Sequence, residues 1–283
     1  MSKFNCLSIL VVLLVFGCQF SNENKSLNSV EASSIKTEVE SIKIQETTFD
    51  KSTNTIHIMV ALCDNVNQGI VPVPKTLGNG QDPKNNLYWG AAYGIKTYFK
   101  RSSEWKLIET IQPNSEILER VIYKHIDKDF YLVADAYDGK FINQTTEHFL
   151  RSSAGIEKDV LEVDNKVIGI KGNAKLVAYI GHDGLMDFQL NEEFENKDNE
   201  ERAVIILACY SKSYFEPHLV NANVNPLVWT TGLMAPEAYT IHDAISAYVN
   251  GESNEAIRLR AAQAYSKYQK CSLKAAKNLL VSD

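Results

Sequence analysis

A chain of 283 residues is long enough for one sizeable domain with a buried core, after a leader and a linker are set aside. Its formal net charge of −6 is mild, and acidic and basic residues are interspersed along the sequence. Because no basic stripe that could bind a phosphate backbone stands out, nucleic acid is excluded as an expected partner.

The N-terminus has the features of an export signal. Lys3 supplies a positive charge, and residues 7–16 (LSILVVLLVF) form an apolar run that ends at Gly17 and Cys18. That run is too short to span a bilayer permanently. A small residue before a cysteine resembles the lipobox of bacterial lipoproteins, which implies a signal peptide over residues 1–17 and lipidation of Cys18. An uncleaved anchor or a plain secretory signal is the alternative, and export is expected in each case.

The segment that follows is predicted to be a flexible tether. Residues 19–50 are rich in Ser, Asn, Glu, Lys and Thr, and they contain too few apolar residues to offset the entropy cost of ordering. The lipidated cysteine and tether would occupy residues 18–50, and the folded domain residues 51–283. We expect an exported bacterial lipoprotein, anchored through Cys18 at the periplasmic face or the cell surface.

The domain retains three cysteines once the leader and the lipidated residue are set aside: Cys63, Cys209 and Cys271. Since three is an odd number, at least one thiol is expected to stay unpaired within the molecule, even in an oxidising compartment.

Strand and helix patterns alternate along the domain. Strands are predicted at residues 55–63, 105–111, 130–136, 175–180, 203–207 and 227–231. Helices are predicted at residues 86–101, 141–151, 235–249 and 254–268, from Leu273 onward, and from Ser115 onward with Ile117, Leu118, Val121 and Ile122 as a buried face. Residues 157–170 could form a hairpin. The alternation indicates an α/β fold with a mostly parallel sheet and helices on both faces.

Two successive strands end in reactive side chains. The strand at 175–180 leads into Gly181 and His182, and the strand at 203–207 leads into Ala208 and Cys209. In open α/β sheets, ligands and catalytic groups gather at the carboxyl ends of strands. A cysteine that attacks a carbonyl needs a base nearby, so the two side chains form a candidate dyad.

Three segments give the chain a specific resemblance. Residues 181–190 (GHDGLMDFQL), residues 208–216 (ACYSKSYFE) and the run from Thr230-Thr231-Gly232 through Pro236-Glu237 stand in the same order as in the caspase-like (clan CD) cysteine peptidases. Among these the chain most resembles legumain and the GPI-anchor transamidase. The resemblance implies a three-layer caspase-like fold and peptide-bond cleavage.

The resemblance also implies roles for individual residues. Cys209 would be the nucleophile and His182 the general acid and base, with the backbone N–H of Cys209 as one oxyanion donor. The second donor in the family is the glycine after the histidine, and here Asp183 occupies that place, followed by Gly184.

An orienting residue and a substrate pocket are implied as well. Asn65 resembles the family residue that orients the histidine, and Asp64 is the alternative. The residues expected to line the substrate pocket are Ser211, Thr230, Thr231, Glu237 and Tyr239.

The sequence therefore predicts a membrane-anchored thiol endopeptidase, or a transpeptidase, that acts on a protein or peptide without a cofactor or a metal. The rival hypothesis is an inactive caspase-like lipoprotein that serves as a binding or structural module, and Asp183 favours it. An acyl or glycan hydrolase ranks below both, because no serine motif or carboxylate pair supports it.

Several weaker interpretations stay open. His182, Asp183 and Asp187 make a poor zinc signature without a second histidine or cysteine set. Cys63 is a minor rival nucleophile. The aromatic stretch over residues 87–98 could form a sugar platform, although its helical spacing favours a role in the core.

Overall fold

The computed structural model describes residues 48–282. The predicted signal, the lipidation site at Cys18 and nearly all of the tether lie outside the described residues. The strands are β1 (Asn54–Ala61), β2 (Trp105–Ile111), β3 (Ile117–His125), β4 (Phe130–Tyr137), β5 (Lys158–Val163), β6 (Lys166–Lys171), β7 (Leu176–Ile180), β8 (Arg202–Leu207), β9 (Val224–Thr230) and β10 (Leu280–Val281). The helices are α1 (Ile95–Lys100), α2 (Ile142–Ser153), α3 (Ser211–Leu219), α4 (Ala238–Val249), α5 (Asn254–Gln269) and α6 (Leu273–Leu279).

Eight of these strands form one mixed sheet in the order β10-β9-β8-β7-β1-β4-β3-β2. The five strands from β9 to β4 are parallel, whereas β10, β3 and β2 each pair antiparallel with a neighbour. The central strands β7 and β8 are buried along their whole length, as expected of parallel strands covered on both faces. The predicted α/β class with a mostly parallel sheet is confirmed.

Helices cover both faces of the sheet. Along β1, Ile56, Ile58 and Val60 pack into the core beneath α1, α4 and α5, whereas Met59 and Ala61 pack into the core beneath α2 and α3. This alternation follows from the two-residue period of a strand and gives a three-layer architecture. None of the helices in the described part of the chain has the length and apolar content needed to cross a bilayer.

The predicted helix from Ser115 is wrong, because residues 117–125 form strand β3. The spacing of Ile117, Val121 and Ile122 fits one face of a helix, but all three are β-branched and therefore favour a strand. The strand β4 follows after a short turn and pairs antiparallel with β3. The predicted hairpin over residues 157–170 is confirmed by the pairing of β5 with β6.

The predicted helix over residues 86–101 is reduced to α1, six residues long. Before it, the Asn86 side chain holds a series of turns: its Oδ1 accepts from Cys63 N at 3.1 Å and Tyr88 N at 3.1 Å, and its Nδ2 donates to Cys63 O at 2.8 Å. An asparagine that bonds the backbone in this way competes with helix formation. Trp89 is buried in the core, whereas Tyr93 is exposed.

A buried ionic network joins three strands of the sheet. Asp135 on β4 accepts two hydrogen bonds from the Arg120 guanidinium, at 2.6 and 2.7 Å, and one from His57 Nε2 at 3.0 Å. The Lys171 N–H donates to His57 Nδ1 at 3.0 Å, so the imidazole is the neutral tautomer with its proton on Nε2. Burial opposes the charged form of Asp135, but the bonds from Arg120 and His57 outweigh it and lower its pKa to about 2.

Candidate active site

His182 and Cys209 each lie two residues beyond the last paired residue of adjacent parallel strands. Ile180 of β7 pairs with Leu207 of β8, and each reactive residue comes two positions later. Because neighbouring strands lie about 4.8 Å apart, the backbone positions of the two residues are brought to one place at the edge of the sheet. The sequence prediction that they meet at neighbouring strand ends is supported by this register.

The His182 ring is held by a carboxylate from its own loop. Its Nε2 lies 2.7 Å from Oδ2 of Asp187, and the same oxygen accepts from Gly69 N at 2.9 Å. The Tyr179 hydroxyl donates to the His182 carbonyl at 2.7 Å, which fixes the backbone beneath the ring. With Nε2–H donating to Asp187, Nδ1 carries the lone pair, and no group within residues 48–282 hydrogen-bonds to it. The ring therefore has a free basic nitrogen.

The hydrogen bonds of Asn65 and Asp64 go to their own loop and not to the His182 ring. Asn65 makes hydrogen bonds with Val73 N and O, at 3.0 and 2.8 Å. Asp64 accepts from the backbone of Val66 and from the side chains of nearby residues in the same loop. Both residues shape the loop after β1, and the orienting contact comes from Asp187 instead. The nearest sequence signal was the place of Asp187 in the loop that follows the histidine.

The Cys209 sulfur lies against the segment after β9. Met234 N is 3.4 Å from Sγ, and Sγ is 3.7 Å from Met234 O. No hydrogen bond joins Sγ to the His182 ring in the described part of the chain. Burial raises the pKa of the thiol, Met234 N–H opposes that rise, and the Asp183 carboxylate adds to it. The resting group is therefore a thiol that needs a base before it can attack.

A strained turn presents Cys209. The next residue, Tyr210, has φ 51° and ψ 27°, in the left-handed region that bulky residues rarely adopt. Tyr210 N donates to Gly232 O at 2.9 Å, which holds the turn against the segment after β9. Helix α3 begins directly afterwards, so the thiol lies just before a helix N-terminus, where an anion is favoured.

Hydrogen bonds between Ser211 and Thr230 hold this turn in place. The Thr230 N–H donates to Ser211 Oγ at 2.9 Å, and the Ser211 N–H donates to Thr230 Oγ1 at 3.1 Å. Ser211 Oγ also donates to Ile206 O at 2.9 Å, and Thr230 Oγ1 donates to Ala208 O. Both side chains are fully buried. Ser211 and Thr230 were expected to line a substrate pocket, but their side chains hold the turn together and expose no surface that a ligand could reach.

The remaining expected pocket residues occupy different places. Thr231 is exposed, and its hydroxyl donates to Asn278 O at 2.8 Å. The Tyr239 hydroxyl donates to Glu237 Oε2 at 2.8 Å. Tyr239 is buried and stacks on Tyr268 with ring centroids 4.2 Å apart. Of these three, the half-buried Glu237 and the exposed Thr231 retain surface that a ligand could reach.

Tyr268 also lines a separate cleft of about 540 Å³. The other residues at this cleft are Tyr93, Tyr98, Arg101, Ser102, Ser103, Glu104 and His242. Two of them, Tyr93 and Tyr98, come from the aromatic stretch whose spacing favoured a role in the core.

Asp183 is buried and is only partly satisfied. Its Oδ1 accepts from Leu185 N at 3.0 Å, and this bond caps a short 3-10 turn over Gly184–Met186. Its Oδ2 is buried with no hydrogen-bond partner among the described residues. Burial raises the pKa of this carboxyl to about 7; the Leu185 bond opposes the rise and the Asp187 charge adds to it. Near neutral pH the group is partly uncharged, which reduces its conflict with a developing oxyanion.

Backbone donors remain free beside the two reactive residues. The N–H groups of Cys209, Asp183 and Gly184 have no acceptor among residues 48–282. Oriented backbone N–H groups of this kind stabilise the oxyanion of a tetrahedral intermediate.

Cys63 is a poorer candidate nucleophile than Cys209, and the described residues offer no cluster of metal ligands. Burial raises the pKa of Cys63 to about 11, although a hydrogen bond from Tyr88 opposes the rise. Cys63 is completely buried, which makes it a poor nucleophile, and Cys63, Cys209 and Cys271 are all free thiols in the structure. Within residues 48–282 no group of three or more His, Cys, Asp or Glu side chains is arranged to hold a metal ion.

Comparison with known proteins gives no match: no family model, no curated protein and no solved structure is significantly similar to this chain.

Proposed function

We propose that this protein is an exported, membrane-anchored cysteine endopeptidase of the caspase-like type, with Cys209 as nucleophile and His182 as general acid and base. One observation carries the proposal: His182 and Cys209 each lie two residues beyond a pair of residues, Ile180 and Leu207, that face each other on adjacent parallel strands. His182 is in addition held by Asp187 at 2.7 Å. The three sequence segments that resemble legumain and the GPI-anchor transamidase support the same assignment. Anchoring through Cys18 rests on the lipobox-like sequence.

The reaction would begin with transfer of the Cys209 proton to His182 Nδ1. The sulfur would attack the peptide carbonyl carbon, forming a C–S bond and an oxyanion that faces the free N–H groups of Cys209 and Asp183 or Gly184. Collapse of this intermediate would break the C–N bond, and His182 would give its proton to the leaving amine. Water, deprotonated by His182, would then hydrolyse the thioester and restore the thiol; an amine in place of water would give transpeptidation.

Each feature of the site fits one of these steps. The raised pKa of Cys209 makes a base necessary. The Nε2 contact of His182 with Asp187 leaves Nδ1 as that base and would stabilise the imidazolium that forms. No step requires a cofactor or a metal.

A second candidate function is an inactive caspase-like module that binds a partner at the cell surface. Two features favour it: burial raises the pKa of the Cys209 thiol, and Asp183 stands where the family has glycine. In such a protein Cys209 would react no faster than an ordinary buried thiol.

Covalent labelling with peptides that carry an electrophilic carbonyl distinguishes the two functions. The full-length protein, purified in detergent, is treated at neutral pH, and the modified residue is read by mass spectrometry. A peptidase labels at Cys209; Cys209→Ala abolishes labelling, and His182→Ala slows it about 100-fold or more. Cys271→Ala, which removes another partly exposed thiol, is the matched control and labels normally. Labelling that is absent in the folded wild type, or equally fast without His182, would leave the binding module as the better account.

A further inference from the structure

Large apolar side chains are exposed in the loops that carry the candidate active-site residues or are bonded to them. Five of them form what is called here the apolar rim: Val66, Val71, Met186, Tyr210 and Leu233. Val66 and Val71 are 88% and 87% exposed and Leu233 is 68% exposed, so these side chains contribute little to the core. Single exposed apolar residues are ordinary, but a group of them around one site marks a binding surface.

On the histidine side, the rim is tied to Asp187. Met186 precedes Asp187 in the chain, and Gly69, whose N–H donates to Asp187 at 2.9 Å, lies between Val66 and Val71. The loop after β1 therefore reaches the residue that holds His182.

On the cysteine side, the rim adjoins the nucleophile itself. Tyr210 follows Cys209, and Leu233 precedes Met234, whose N–H is 3.4 Å from Sγ. Gly232 O accepts from Tyr210 N, so the two rim residues belong to loops that are bonded to each other. The rim thus has members in the loops that carry Cys209 and contact its sulfur, and in the loops that carry His182 and contact Asp187.

The carboxylate on the histidine side of the site favours a peptide over a lipid surface as the occupant. Asp187 contacts the His182 ring and also accepts from Gly69 N in the loop that carries Val66 and Val71. Anionic lipid headgroups attract basic clusters, whereas the charged group that touches His182 is acidic. An extended peptide that crosses the pair would place its side chains against the rim on either side of the reacting carbonyl.

We propose that the substrate of this site is an extended peptide with large apolar side chains on both sides of the scissile bond. This inference rests on the proposed peptidase function and adds the substrate class. The apolar rim would bind those side chains, and the Cys209 and His182 pair would lie between them.

The test is cleavage of a peptide library with randomised positions on both sides of a central residue, using the full-length protein in detergent and mass spectrometry to read the products. Large apolar residues are expected to be enriched on both sides of the cleaved bond. Leu233→Ser and Val71→Ser should each lower kcat/KM for a preferred apolar peptide by about tenfold. Labelling of Cys209 by a small thiol reagent should stay unchanged in both variants. Val220→Ser is the matched control, because Val220 is 76% exposed but lies at the end of α3, outside the rim.

The outcomes separate this inference from the function on which it rests. Cleavage with no apolar preference, or equal activity of Leu233→Ser and Val220→Ser, would overturn the substrate class and leave the peptidase intact. Absence of both cleavage and Cys209 labelling would overturn the peptidase and the substrate class together.

A lipid occupant is tested separately with Leu233→Trp, because the three native tryptophans, Trp89, Trp105 and Trp229, are buried. The variant is reconstituted into vesicles of brominated phosphatidylcholine. Quenching of the added fluorescence beyond that of Val220→Trp would assign the rim to a membrane and overturn the proposal; equal quenching supports it.

Discussion

The Nε2 of His182 lies 2.7 Å from Oδ2 of Asp187, five residues later in the same loop. This contact sets the tautomer of the ring, because a proton on Nε2 leaves the lone pair on Nδ1. The Gly69 N–H donates to the same carboxylate oxygen, so the loop after β1 and the loop after β7 are joined at the carboxylate that orients the His182 ring.

Asp187→Asn should lower kcat/KM for peptide cleavage about 100-fold, because an amide that donates to Nε2 would favour the tautomer with its proton on Nδ1. Steady-state rates across pH 5 to 9 check this prediction. Glu192, in the segment after the site, pairs with Arg151 of α2. Glu192→Gln removes that carboxylate and should leave the dependence of kcat/KM on pH unchanged. Equal losses in the two variants would mean that Asp187 acts only on the local fold.

Asp183→Asn should change how both stability and activity depend on pH. Burial raises the pKa of Asp183 to about 7 from a value of 3.8, so between pH 4 and 7 the native state binds more protons than the unfolded state. Stability contributed by the protonated group is therefore present at low pH and lost as pH rises through 7, by about 1.4 kcal/mol for each unit of pKa difference. The variant removes that loss and retains an acceptor for Leu185 N.

Two measurements check the Asp183 prediction. Urea unfolding at pH 5 and pH 8 should show that Asp183→Asn is more stable than wild type by a larger margin at pH 8 than at pH 5, because the wild-type loss is complete only above pH 7. Above pH 7 the kcat/KM of the variant should exceed that of wild type, because the variant has no negative charge beside Cys209. A variant with the same pH slope as wild type would show that Asp183 does not titrate in this range.

Asp135→Asn should destabilise the fold by about 3–5 kcal/mol, because it leaves the buried Arg120 charge without its partner. The pKa of Asp135 is lowered to about 2, so its contribution is present above pH 4 and lost as pH falls through 2. Denaturant unfolding at pH 7 measures the loss. Glu255→Gln breaks an exposed pair with Arg258 and should leave the unfolding midpoint where it is. A midpoint shift in Glu255→Gln as large as that in Asp135→Asn would contradict the argument from burial.

Ser211→Ala should cost about 1–3 kcal/mol, because the buried Thr230 N–H loses the hydroxyl that accepts its hydrogen bond. Loosening of the turn should also slow labelling of Cys209 by peptide electrophiles. Ser213→Ala changes an exposed serine in the same helix and is the matched control. The free energy of unfolding and the rate of Cys209 labelling are measured on the same samples. Reduced stability with unchanged labelling would mean that the hydrogen bonds between Ser211 and Thr230 stabilise the fold but do not position Cys209.

Much of the fold followed from local patterns. The buried strands β7 and β8 are apolar apart from Arg202 at the start of β8, and that composition predicts covered parallel strands. The apolar pattern of residues 117–125 predicted a helix, and that prediction was wrong, because the β-branched residues of this segment form a strand that pairs with β4. The sequence prediction also extended α1 too far, since a single asparagine, Asn86, holds the preceding turns through its side chain.

The candidate site was predictable in part. His182 and Cys209 stand at strand ends in the sequence, and their common step beyond β7 and β8 follows from parallel pairing. The orienting residue was assigned to Asn65 or Asp64, yet both are occupied within their own loop. Ser211 and Thr230 were assigned to a substrate pocket, but they bond to each other in the core.

The sequence by itself determined the class of fold, because the pattern of alternating or continuous apolar residues is a local property that each segment carries. It also indicated that a cysteine and a histidine, two residue types that can take part in nucleophilic attack, follow neighbouring strands. Only the tertiary structure decided which carboxylate contacts His182, that Asp183 is buried, and which apolar side chains stay exposed around the site. Those features depend on how loops from β1, β7, β8 and β9 close on one another, and that closure joins residues far apart in the chain.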